Sequence, residues 1–69
     1  MGYTPEDLAM ARRHVVEGEE RVSQQRQLVG RLEEQGEPTG SAIRLLETFE
    51  VSLEQMREHL VAIEADLRR

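Results

Sequence analysis

Apolar residues recur at every seventh position through the second half of the chain, at Leu46, Leu53, Leu60 and Leu67, with Phe49, Met56 and Ile63 interleaved between them. That spacing is the a/d seam of a coiled coil. The first half carries a weaker version, with Leu8, Val15, Val22 and Val29 at a and Ala11, Gly18, Gln25 and Leu32 at d. Gly18 and Gln25 are the two seam positions without an apolar side chain. The pattern predicts two long amphipathic helices.

Local signals place their ends. Thr4-Pro5-Glu6-Asp7 offers a threonine N-cap, proline at the first helical position, where a missing N–H costs nothing, and an acid three residues after the cap. In Gly36-Glu37-Pro38-Thr39-Gly40-Ser41, Gly36 can adopt the left-handed conformation that ends a helix, and Pro38 does not continue one. Either Thr39 or Ser41 then caps the next helix. Residues 1–69 thus read as one all-α antiparallel hairpin: a first helix over about 5–35, a turn over 36–40 and a second helix over about 40–68.

Folding back at Thr39 brings the two seams into layers: Leu32 with Leu46, Val29 with Phe49, Gln25 with Leu53, Val22 with Met56, Gly18 with Leu60, Val15 with Ile63 and Ala11 with Leu67. The flanking charges test this register independently. It sets Arg12 against Glu64, Glu19 against Arg57 and Arg26 against Glu50, all of opposite sign, and puts His14 near Asp66. A slip of one heptad sets Arg12 against Arg57 and Glu19 against Glu50 in one direction, and Glu19 against Glu64 and Arg26 against Arg57 in the other. Each exposed pair contributes only ~0–1 kcal/mol, so these charges select the register more than they hold the fold together.

Composition narrows the function. Of the 69 residues, fourteen are acidic and nine basic, for a net charge of -5, and every basic residue is an arginine scattered among the acids. A nucleic-acid footprint needs a basic stripe, and so does an anionic membrane surface; neither partner is expected. No run approaches the roughly 18 apolar residues of a membrane span, and the N-terminus lacks a signal pattern. Those features, with the absence of cysteine, lead to the expectation of a cytoplasmic protein.

One helix-helix seam is thin support for a chain of this size. Ordering roughly sixty residues costs on the order of 1.5 kcal/mol each, while burial returns ~25 cal/mol per Å² of apolar surface. Off the seam, Leu28, Ile43 and Leu45 lie near the turn, with Met10, Val16, Val51 and Val61 further round. The expected solution is a second copy, two hairpins closing a four-helix bundle as a homodimer, with an unidentified protein partner as the alternative. His14, Gly18, Arg21 and Gln25 form one stripe down the first helix. It reads either as a polar recognition strip or as a device that fixes pairing, since a buried polar seam residue specifies orientation at a cost in stability. The expected protein interface comprises Gly18, Arg21, Gln25, Leu28, Ile43, Leu45 and Phe49.

Chemistry is not expected. Ser23, Ser41 and Ser52 have no evident His-acid arrangement to activate them, and single glycines build no phosphate loop. His14-Val15-Val16-Glu17 and Glu58-His59 are the nearest approach to metal ligands, but no Glu-x-x-His unit occurs and Glu17 and Glu58 fall on the solvent side of the heptad. No cofactor is implied, and the chain reads as a non-enzyme.

The run His14-Val15-Val16-Glu17-Gly18-Glu19, with Gln25-Arg26, the turn over 36–39 and Leu45-Leu46-Glu47-Thr48-Phe49-Glu50, resembles a group of small uncharacterised bacterial helical proteins. The resemblance implies a stand-alone bacterial helical hairpin and brings no activity with it. Two functional readings follow from the residues: a self-associating interaction module, or a small acidic adaptor or inhibitor that lays an amphipathic helix into a groove on a target.

Overall fold

A computed structural model describes residues 2–69. Helix α1 spans Pro5–Glu34 and α2 spans Gly40–Leu67. They pack antiparallel as a hairpin about 52 Å long and 14 Å by 12 Å in cross-section, measured over Cα atoms. No strand occurs among the described residues.

The start of α1 is a complete capping box. The Asp7 N–H donates to Thr4 Oγ1 at 3.1 Å, and the Thr4 N–H donates to Asp7 Oδ2 at 2.9 Å, so two backbone donors with no helical partner are satisfied reciprocally. Its end is a Schellman turn. Gly36 takes φ +69°, the Glu37 N–H reaches the Leu32 carbonyl at 2.9 Å, and the Gly36 N–H reaches that of Glu33 at 3.1 Å. Arg31 in the last turn complements the helix dipole.

The start of α2 differs from expectation. Thr39 occupies the N-cap position, but with φ -111° and ψ -7° its backbone is helical rather than extended, and its side chain makes no capping hydrogen bond. The extended backbone that aims a threonine hydroxyl at the next turn is missing. Ser41 does not cap either; it lies within α2, and its Oγ accepts from Arg44 Nη2 at 3.5 Å.

Both seams face inward. Every a and d residue named above is buried or half-buried, with Ala11, Val22, Leu53 and Ile63 forming the apolar core. The three anticipated ion pairs form, Arg12 to Glu64 at 3.9 Å, Glu19 to Arg57 at 3.2 Å and Arg26 to Glu50 at 2.9 Å. The seam layers between them differ from the anticipated set. A β-carbon on Gly18 would meet Leu53 and Met56 rather than Leu60, Arg21 lies over Phe49 and Gln25 reaches the Ala42 carbonyl, so α1 faces α2 residues about one heptad earlier than anticipated, and the long arginine and glutamate side chains span the offset to keep the ion pairs. Asp66 does not pair with His14; its Oδ2 accepts the Tyr3 backbone N–H at 2.8 Å.

Candidate functional site

The hairpin has two edges of contrasting chemistry. One carries the three ion pairs and borders a groove of about 470 Å³ lined by Glu19, Ser23, Arg26, Glu50, Glu54 and Arg57, among others. The opposite edge has no ion pair among the described residues. There the Arg21 guanidinium stands 5.7 Å from the centroid of the Phe49 ring, a cation–π contact. Further along, the Tyr3 and His59 rings meet edge to face, with centroids 5.6 Å apart and planes at 81°. They border a hollow of about 130 Å³ that also includes Asp7, Met10, Ala11, His14 and Ile63.

The anticipated interface residues separate into three groups. Gly18, Gln25 and Phe49 belong to the intrachain seam. Gly18 and Gln25 are buried and Phe49 is half-buried beneath Arg21. Gln25 is 8% exposed, and its Nε2 donates to the Ala42 backbone carbonyl at 2.9 Å. No buried side-chain nitrogen or oxygen among the described residues lacks a partner.

Arg21, Leu28 and Leu45 share the edge without ion pairs; Arg21 is exposed, Leu28 half-buried and Leu45 44% exposed. Ile43 does not join them. It lies one heptad before Glu50 and so on the ion-paired edge, because two residues along a helix turn the side chain through roughly 200°.

Tyr3 is the residue that sequence reasoning missed. It precedes the first cap, outside the heptad pattern, yet its backbone and ring both attach the N-terminal segment to the end of α2. Its chemistry is structural. No group of three or more His, Cys, Asp or Glu residues among those described could hold a metal ion. No helix among them is long and apolar enough to cross a membrane. Comparison with protein families, curated proteins and solved structures finds no match.

Proposed function

We propose that this chain is a non-enzymatic protein-protein interaction module that self-associates, a second hairpin completing a four-helix bundle. The observation that carries this reading is the imbalance of its apolar surface. Ile63 is the large side chain that is fully enclosed, whereas Tyr3, Met10, Val16, Ile43, Leu45, Val51 and Val61 are each more than a third exposed. Two helices offer one seam, and small domains of this size gain their margin from a partner when they have no disulfide or metal.

The site chemistry supports the non-enzymatic part. Ser41 is occupied with Arg44, and no serine lines the hollow that holds His14 and His59. A cytoplasmic setting belongs to the same proposal, supported by an acidic composition without cysteine.

Light scattering combined with circular dichroism tests the reading. The expected result is a strongly helical dimer whose mass holds across the micromolar range. A weakly helical monomer at every concentration would overturn it in favour of an acidic adaptor that orders on a target.

A further inference from the structure

We propose that Met56 is a modification site: a peroxide transfers one oxygen to its thioether, and the methionine sulfoxide so formed loosens the hairpin where Gly18 lets the helices approach. Because the seam lies within one chain, the change takes place with or without a second copy.

The chain has no cysteine, so its oxidisable sulfur resides in Met1, Met10 and Met56. The two of these that lie within the helices stand in opposite surroundings. Met10 is 54% exposed on the outside of α1. Met56 is half-buried in the seam of α2, about one turn beyond the buried Leu53 and two turns before the buried Ile63. Among the apolar seam residues of α2 it is the one that carries sulfur. Its partial exposure gives a small oxidant a route to the side chain in the folded hairpin, a route that Leu53 and Ile63 do not share.

Glycine at 18 sets that sulfur against the backbone of α1. A β-carbon on Gly18 would stand 3.1 Å from Met56 Sδ and 3.1 Å from Leu53 Cδ1, so the space a side chain would need is already taken by these two groups. An unbranched thioether suits such an irregular gap. A sulfoxide does not, because it adds an oxygen to the sulfur and makes the side chain polar.

That oxygen accepts hydrogen bonds, and the donors near it are engaged. The backbone N–H of Gly18 belongs to the hydrogen-bond ladder of α1. Gln25 Nε2 donates to the Ala42 carbonyl, Arg57 to Glu19, and Arg21 lies over Phe49. An acceptor kept in the seam without a donor is costly. Swinging the sulfoxide out to water avoids that cost but leaves a void beside Gly18 and Leu53. Both routes weaken the middle of the seam.

The sulfur lone pair attacks one oxygen of hydrogen peroxide. The S–O bond forms as the O–O bond breaks, and after a proton shift the second oxygen leaves as water. Sulfur gives up two electrons and the peroxide takes them. A methionine sulfoxide reductase reverses the change, two thiols becoming a disulfide as the oxygen departs in water.

The test uses the full chain in two forms, Met10→Leu and Met56→Leu, both close to volume-conserving; Met1 is common to the two. Each is treated with hydrogen peroxide while folded, the added oxygen is located by peptide mass spectrometry, and stability is read by urea denaturation at one protein concentration. The Met10→Leu chain should take up oxygen at Met56, and its ratio of folded to unfolded molecules should fall by about tenfold or more. The Met56→Leu chain, oxidised at Met10, should keep the ratio of its untreated form. Reduction by the reductase should return the oxidised Met10→Leu chain to its starting ratio. A Met56 that reacts only once urea has unfolded the chain overturns the proposal. So does a Met56 sulfoxide that leaves the ratio unchanged, an equal loss in the Met56→Leu chain, or a loss that persists after the sulfoxide has been reduced.

Discussion

Gly18 on α1 lies so close to Leu53 on α2 that a β-carbon would stand 3.1 Å from the leucine Cδ1, and equally close to Met56 Sδ. Glycine here is a packing residue, letting the backbones approach in the middle of the seam. By contrast, nothing lies within 4 Å of where a β-carbon on Gly30 would point. Gly30→Ala should therefore gain most of the ~1 kcal/mol that separates alanine from glycine within a helix. Gly18→Ala should gain clearly less, because Leu53 and Met56 have to move, and Gly18→Val should cost ~1–3 kcal/mol by overpacking. Thermal melts of the three variants read the order directly. Equal gains from both alanine variants would refute the close-approach role.

Gly36 answers to a different constraint. At φ +69° it ends α1 in a conformation that a β-carbon disfavours, and the Schellman hydrogen bonds from Gly36 and Glu37 depend on it. Gly36→Ala should lower stability by about 1 kcal/mol, and Gly36→Asn by less, since asparagine tolerates this region better. Chemical denaturation at fixed protein concentration measures both, the concentration being held constant because any self-association adds to apparent stability.

The Glu19–Arg57 pair is half exposed on both sides, which limits its contribution. Arg57→Glu should destabilise by roughly 0.5–1 kcal/mol, and adding Glu19→Arg should restore most of that loss. The coupling should shrink as salt is raised toward 1 M, where screening acts over about 3 Å. A coupling well above ~1 kcal/mol, or one insensitive to salt, would mean that the pair does more than select register.

Periodic and local features were legible in the sequence, and features that reach across the chain to a backbone group were not. The capping box at Thr4, the left-handed Gly36 and the three ion pairs each rest on residue types at set spacings, and each forms. The threonine at 39 has the right identity for a cap, but the turn leaves it with a helical backbone. Tyr3 takes the carboxylate of Asp66, and no periodicity extends into the segment before the first cap. The two edges are half legible: heptad spacing picks out the flanking positions but does not weigh one edge against the other, and it does not separate Ile43 from Leu28 and Leu45. The ion pairs are what tell the edges apart.

Gln25 combines these lessons, because its partner is the Ala42 carbonyl, a group with no sequence signature. A buried amide in a seam has to find such a partner, and an unpaired one costs ~1–3 kcal/mol. Ala42 lies within α2, so its carbonyl keeps the helical hydrogen bond when the amide is removed. Gln25→Leu therefore strands no polar atom and adds apolar contact within the seam, and it should raise stability by up to ~1 kcal/mol. Gln25→Ala forfeits both the bond and the volume and should lower it by ~1–2 kcal/mol. Gln25→Glu keeps the shape but turns an acceptor toward an acceptor at 8% exposure, and should be the most damaging of the three at neutral pH. Thermal melts should thus order the variants Leu, Gln, Ala, Glu. Light scattering should find the leucine variant less uniform in assembly, because the polar contact inside the seam, which adds to the flanking ion pairs in selecting the register, is gone. A leucine variant that melts lower than the parent while keeping a single sharp mass would show that the amide stabilises this seam rather than specifying it.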